Sequence, residues 1–374
     1  MLPRQLPSPA GVAPGGPTRR QDRPGAAPGR GWATPALVVP VLLVALAGSV
    51  LVVIGSGAAP VPPADTARYL WAGLTGGTIT ADEVTRYQIV WQIRTPRVLL
   101  AACVGAGLGA VGVAVQALVR NALADPYVLG VSSGASVGAV AVTVTGGLAA
   151  AGGYAVSVGA FVGALVATAL VFLAARSRAG LTPLRLVLTG VVLSFGFQSM
   201  MAVIVYLSPD SEATATLLFW SMGGFGAATW GTLPPVAVVV LVGVVLLHRH
   251  SRTLDVLTFG DETAASLGVD SGRTRTGLFV LTALVTGAVV AVSGAIAFVG
   301  LVLPHLVRIV VGATHARVLA VTPLAGALFM VWVDLLSRTV VAPRELPLGV
   351  ITALVGVPVF IALMRRRAYL FGGR

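Results

Sequence analysis

The sequence contains no lysine and a single cysteine, Cys103, among 374 residues, and charged residues of both signs make up 10% of it. Each scarcity excludes something. Without lysine there is no Walker-type phosphate loop, so the chain cannot by itself be an ATPase of that kind. One thiol forms no internal disulfide, no Cys-rich zinc site and no iron–sulfur cluster needing several thiolates. Soluble domains carry roughly 25% charged residues, so this chain lacks the polar surface to cover a water-exposed globule. Soluble enzymes, disordered chains and nucleic-acid binders are thereby excluded. What is present is apolar: 56% of residues are hydrophobic and the mean hydropathy is +0.92. This is the composition of an integral membrane protein.

Residues 1–33 are rich in Pro, Gly and Arg and show no apolar periodicity, which reads as a disordered basic cytoplasmic tail. The apolar run that follows starts too late for a cleaved signal. Ten apolar runs then succeed one another, at about 34–55, 97–119, 126–146, 154–174, 185–207, 232–247, 276–296, 298–312, 317–337 and 347–364. Crossing a hydrocarbon core takes roughly 20 apolar residues. The expected fold is therefore all-α and polytopic, with about ten transmembrane helices in a domain spanning 34–366 and a cytoplasmic C-terminal tail at 367–374. With the N-terminus inside, 19 of the 25 arginines fall on the cytoplasmic side. That bias fixes the orientation, with both termini cytoplasmic in the plasma membrane, and accounts for the net charge of +12 without nucleic acid. Thr34-Pro35, Asp125-Pro126 and Thr182-Pro183 each place an N-cap residue before a proline suited to the first helical position, and they open spans one, three and five. Gly105-x-x-x-Gly109 and Gly159-x-x-x-Gly163 offer close backbone approach, inside the subunit or at a dimer face.

Two enzyme-like patterns are rejected. Gly107-Leu-Gly-Ala-Val-Gly112 fits a dinucleotide fingerprint, and Gly130-Val-Ser-Ser-Gly134 fits a nucleophile elbow, but neither follows a strand. His248 and His250 flank Arg249 in a loop and read as a solvated face. The stretch RNALADPYVLGVSSGASVG (120–138) is more informative: a polar turn enters a helix whose first turns hold Ser132 and Ser133, suited to close crossing or to a wet path. This segment resembles the signature of FecCD-type permease subunits of ABC importers for iron-siderophores, haem and vitamin B12. The blocks VWQIRTPRVLLA (90–101), FWSMGGFGAATW (219–230), GDETAASLGVD (260–270), SGAIAFVGLVLPHLVRIVVG (293–312) and ELPLGVITALVGVPVFIALMRR (345–366) are similar to the family in the expected order.

The resemblance implies a ten-helix, non-catalytic subunit without cofactor or metal. It would pair with a second permease subunit, as a homodimer or with a similar chain, and work with two ABC ATPase subunits and an extracytoplasmic substrate-binding protein. Phe259–Gly268 reads from its residues as a short helix, with Asp261 and Glu262 in the first turn, Ala264, Ala265 and Leu267 displayed and Gly268 as the stop. In the family, this part of the cytoplasmic loop at about 249–275 couples to the ATPase, which implies that role for Gly260, Asp261, Glu262, Ala265, Leu267 and Gly268. Arg94, Arg97 and Arg338 lie at outer span ends, where arginines snorkel to water. Family positions that match them receive carboxylates of the binding protein, although Glu345 is near enough to pair locally with Arg344 or Arg338. Asn121 and Leu123 match cytoplasmic gate positions. The family's Asn-Pro-Leu-Ala is Asn121-Ala122-Leu123-Ala124 here, and losing the proline is expected to loosen the turn. Thr182 is carried across from a hydroxyl-rich connection before span five.

Two other classes compete. An ion-gradient-driven secondary transporter needs ionisable groups within spans, yet Asp334 is the one acid well inside a span. A membrane-embedded enzyme would need a constellation of His, Asp, Glu or Cys at depth, and the spans hold none. Iron-siderophore is the expected cargo as the commonest of the resembled family, with haem and vitamin B12 as alternatives.

Overall fold

The computed structural model describes residues 32–57, 59–176, 181–208 and 220–365. The expected tails, 1–33 up to its last two residues and 367–374, lie outside them. Every described regular element is helical. Among the described residues, seven helical segments are long and apolar enough to cross a membrane, and an eighth span forms if one bent pair is counted together. Two shorter apolar helices, Val131–Thr145 and Val299–Val311, bring the apolar helical segments to the ten runs read from the sequence.

The chain opens with α1 (Pro35–Gly55), then α2 (Pro63–Thr75) and α3 (Val84–Gln88). A π-helical turn, Ile89–Arg94, runs directly into α4 (Thr95–Leu118), so the second span is continuous from Ala81 to Leu118. Next come α5 (Val131–Thr145), α6 (Ala155–Ala175) and α7 (Pro183–Tyr206). After these, α8 (Leu233–Arg249) bends by 57° into α9 (Ser251–Thr258), and α10 (Asp261–Ser266) follows. The last four helices are α11 (Ser271–Ser293), α12 (Val299–Val311), α13 (His315–Thr339) and α14 (Leu348–Arg365).

Helix α4 is the hub, buried along nearly its whole length between α13, α11, α8 and α12. Small residues make this feasible. A Cβ on Gly105 would stand 2.1 Å from the carbonyl oxygen of Gly326 on α13, and one on Gly112 would stand 2.1 Å from that of Gly300 on α12. On the other flank, Gly159 and Gly163 of α6 meet Gly138 and Gly134 of α5 just as closely. Both small-residue motifs therefore serve packing within the subunit, where backbone contact replaces the missing hydrophobic drive. The outward faces carry Leu37 and Val44 on α1, Leu173 on α6, Leu188 and Val192 on α7, and Leu354 on α14, all exposed.

Two helix starts differ from expectation. Thr34 and Thr182 precede α1 and α7 as read, but neither side chain caps its helix; the fixed φ of Pro35 and Pro183 suffices for the start. Asp125 does cap, accepting from the Tyr127 amide at 3.0 Å, yet it opens a 3-10 turn (Pro126–Leu129) and α5 begins only after Gly130. Gly130 has φ 78°, a left-handed conformation that glycine adopts without Cβ strain.

Candidate functional site

Three regions gather the residues singled out by sequence. At the loop after the sixth span, Gly260 turns the chain with φ 104° and Gly268 ends the segment with φ 78°. Between them α10 buries Ala264 and exposes Glu262, Ala265 and Leu267, with Phe259 exposed just ahead. Ala264 thus faces inward rather than outward, because α10 lies against α9 and α11. Asp261 is the anchoring member: its Oδ1 lies 2.7 Å from Nη2 of Arg275. Arg275 is 2% exposed and also donates from Nη1 to the carbonyl of Leu181 at 3.0 Å. One buried guanidinium therefore ties α10 to the residue preceding Thr182 at the start of α7. The Arg275 hydrogen bond holds the Asp261 carboxyl below its ordinary range. A second tie runs from α9 to the first residue of α13, where Asp255 Oδ1 accepts from the His315 amide at 3.0 Å and contacts Nδ1 at 2.6 Å. Sequence reasoning missed Arg275 as a site residue. Its one signal was an arginine directly ahead of the seventh apolar run, which does not reveal the partners.

The turn after α4 is held by several hydrogen bonds. Asn121 is exposed, and its Oδ1 accepts from the Leu123 amide at 2.9 Å. The carbonyl of Ala122 lies 2.7 Å from Nε2 of His305 on α12, and the Asn121 amide donates back to the Gln116 carbonyl at 3.1 Å. These bonds tie the turn to α4 and α12 where the family's proline is absent. Asp125 also takes a backbone hydrogen bond from Phe298, and the Tyr127 hydroxyl accepts from the Ile296 amide at 2.8 Å. Together they bind the turn after α4 to the irregular backbone between α11 and α12. Ser132 is buried and Ser133 half-buried, its hydroxyl donating to the carbonyl of Gly130. Thr182 is half-buried beside Leu181.

The outer arginines differ most from expectation. Arg94 is 6% exposed and Arg97 7%, so they do not snorkel to water or form an exposed positive patch. Arg97 places Nε 2.7 Å from Asp334 Oδ1 and grips Glu345 with both Nη atoms, at 2.7 and 2.8 Å. Arg338 places Nε 3.0 Å from Asp334 Oδ2 and donates to the carbonyls of Val53 and Ser56. Arg94 donates to the carbonyls of Ile54, Gly55 and Ala59. The physical reason has two parts. The chain leaving the C-terminal end of α1 presents carbonyls to which Arg94 and Arg338 donate, and Arg97 is held inward by Asp334 and Glu345. Glu345 pairs with Arg97 rather than with Arg344 or Arg338, is held below its ordinary pKa by that bond, and is the most exposed carboxylate of the cluster.

Closely crossed apolar helices with a hydrogen-bonded turn after α4 and a displayed loop helix define a polytopic membrane protein. The chain belongs to the FecCD transport family, whose model matches residues 41–366. It is 38% identical over 304 residues to the hemin transport system permease protein HmuU of Yersinia pestis, covering 80% of this chain and 88% of that one. It is 35% identical over 341 residues to the Fe(3+) dicitrate transport system permease protein FecD of Escherichia coli, covering 88% and 98%. Among solved structures it is similar to an inward-facing transporter described as of the metal-chelate ABC type. That match has a TM-score of 0.75 and 30% identity and covers 88% of this chain and 99% of that one.

Proposed function

We propose that this chain is the permease subunit of an ATP-driven importer and forms, with a second permease subunit, the path for an iron-siderophore complex. Two ATPase subunits would bind at the cytoplasmic loop, and an extracytoplasmic binding protein would deliver cargo at the opposite end. The observation that carries the reading is α10: a short helix with Phe259, Ala265 and Leu267 exposed and Glu262 beside them, rigidly tied into the bundle through Asp261 and Arg275. An exposed apolar patch on a pinned element suits docking of a second polypeptide. The tie to Leu181 gives that docking a direct mechanical route to α7. The cytoplasmic placement of both termini is supported by the arginine bias and by α10 lying at the arginine-rich end.

The iron-chelate reading is supported by the FecD likeness and by the metal-chelate type of the similar structure. Haem is the second reading, favoured by the HmuU likeness; vitamin B12 is a third. At the outer end, docking of the binding protein is proposed around Arg97, where Glu345 is the partner an incoming carboxylate would displace.

Leu267→Asp tests the coupling role. It would place a carboxylate at a closed interface, costing several kcal/mol of association. ATPase pull-down and uptake should both fall at least tenfold with membrane insertion unchanged; unaltered pull-down and uptake would defeat the reading. Competition between a labelled ferric siderophore and haem in the same uptake assay separates the two cargoes.

A further inference from the structure

We propose that the cleft between the adjoining ends of α8 and α11 binds one anionic phospholipid. The inference needs only that the chain spans a membrane, and stands or falls apart from the importer reading. The cleft measures about 440 Å³. Its rim carries His250 and Arg273, and its walls are Leu246, Gly277, Leu278 and Leu281. The order of these residues along the two helices gives the cleft its polarity. His250 directly follows α8 and Arg273 lies in the first turn of α11, whereas Leu246, Gly277 and Leu281 lie one to two turns deeper in the spans. A basic rim above an apolar trough matches a phosphate headgroup above an acyl chain, as in basic pockets between transmembrane helices.

Arg273 is available for this. Its side chain is 93% exposed, and its contact with Asp270, at 3.4 Å between Nε and Oδ2, is a long surface pair of little strength. Nδ1 of His250 faces the carbonyl of Leu246 at 2.8 Å, so an anion meets the opposite side of the ring. Arg249 and Arg252 stand next along the chain, both exposed, and add to the positive field. The neighbouring outward residues Val242, Val280 and Leu284 are exposed and apolar, which continues the trough into a lipid-facing surface. Gly277 keeps the trough open: a Cβ built there meets no atom within 4 Å. A larger side chain at that position would enter the cleft without disturbing the protein's own packing.

The test uses the purified full chain in detergent with equimolar phosphatidylglycerol and phosphatidylcholine, with retained lipids counted by native mass spectrometry. The wild type should hold one tightly retained phosphatidylglycerol. Arg273→Gln should reduce the preference for phosphatidylglycerol over phosphatidylcholine about fivefold, and Gly277→Leu should abolish the retained lipid. Gly277→Ala, with its thermal midpoint compared with the wild type, guards against misfolding and should weaken retention only slightly. Equal retention of the two lipids by the wild type, or unchanged retention in Arg273→Gln and Gly277→Leu, overturns the proposal. Displacement of the lipid by excess inorganic phosphate would mean a free-anion site and overturns it too. So would a shift in the monomer–dimer ratio of Gly277→Leu with no change in lipid, which would make the cleft a subunit contact.

Discussion

Gln116 on α4 supplies the hydrogen bond that Pro304 on α12 cannot make. In an unbroken helix the amide of residue 304 would donate to the carbonyl of Gly300, but proline has no N–H. Nε2 of Gln116 lies 3.2 Å from that carbonyl and 3.2 Å from the carbonyl of Leu301, while its Oε1 accepts from Nη1 of Arg308 at 2.6 Å. Gln116 is 4% exposed, so these bonds lie inside the packed bundle. A side chain of one helix therefore completes the backbone ladder of another.

Gln116→Leu should destabilise the chain by about 1–3 kcal/mol, the cost of leaving buried polar groups unsatisfied. Adding Pro304→Ala restores a backbone N–H at the right place and should recover most of that loss. Thermal unfolding of both variants in detergent checks this. A double variant no more stable than Gln116→Leu alone would show that the amide does not stand in for the proline's missing bond.

Asp334 and Glu345 share Arg97 but should differ sharply in weight. Asp334 is fully buried between Arg97 and Arg338. Asp334→Leu leaves Arg338 without its carboxylate and Arg97 with Glu345 alone, at a cost of about 3–5 kcal/mol. Glu345, with 36% side-chain exposure, should cost no more than about 1 kcal/mol as Glu345→Gln. The same change frees Arg97 for an incoming carboxylate, so binding-protein affinity should rise and become more salt-sensitive. Equal stability losses in the two variants would refute the distinction.

Arg275 should be a transmitter rather than a docking residue. Arg275→Met cuts α10 from Leu181 at once, so ATP hydrolysis by the assembled complex should continue while transport per ATP falls severalfold. Arg275→Lys keeps the charge but cannot span both partners with a planar fork, and should fall between. A transport-to-hydrolysis ratio unchanged from wild type in Arg275→Met would rule out the role.

Acid should loosen the same joint. The Arg275 bond lowers the Asp261 pKa in the folded chain, so the folded state binds its proton less readily than the unfolded one. The stabilisation is complete above the usual aspartate pKa of about 4 and is lost as pH falls below it. Hydrogen exchange of residues 261–266, corrected for intrinsic rates, should stay steady down to about pH 4 and quicken as pH falls further in the wild type. Asp261→Asn should begin fast and stay flat; a wild type equally flat would show that the pair contributes nothing.

The membrane spans were legible because their cause is local. Lipid demands a run of apolar residues about as long as the hydrocarbon core is thick, so nine of the ten observed segments begin within five residues of the runs read from the sequence. The second span is the exception: its helix reaches back to Ala81, sixteen residues before the apolar run, because the polar stretch ahead of Thr95 continues helically through a π turn. Helix α2 was missed for a related reason. It is short and buries only Thr66, Tyr69 and Ala72, so no apolar run marks it.

Helix α10 was legible in its ends, since Gly260, the acidic first turn and Gly268 are chain-local signals, but its facing was not. Ala264 points inward because of what α9 and α11 place behind it. The same division runs through the charged residues. Composition alone made the chain a membrane protein without a Walker lysine, and arginine asymmetry alone suggested its orientation. Which arginine meets which carboxylate depends on contacts between residues 237 and 248 positions apart, as for Arg97 with Asp334 and Glu345. No periodicity encodes such a meeting. The fate of Arg94 and Arg338 was settled by the carbonyls that the end of α1 brings beside them, that of Arg97 by Asp334 and Glu345, and the tolerance of Pro304 by an amide 188 residues earlier in the chain.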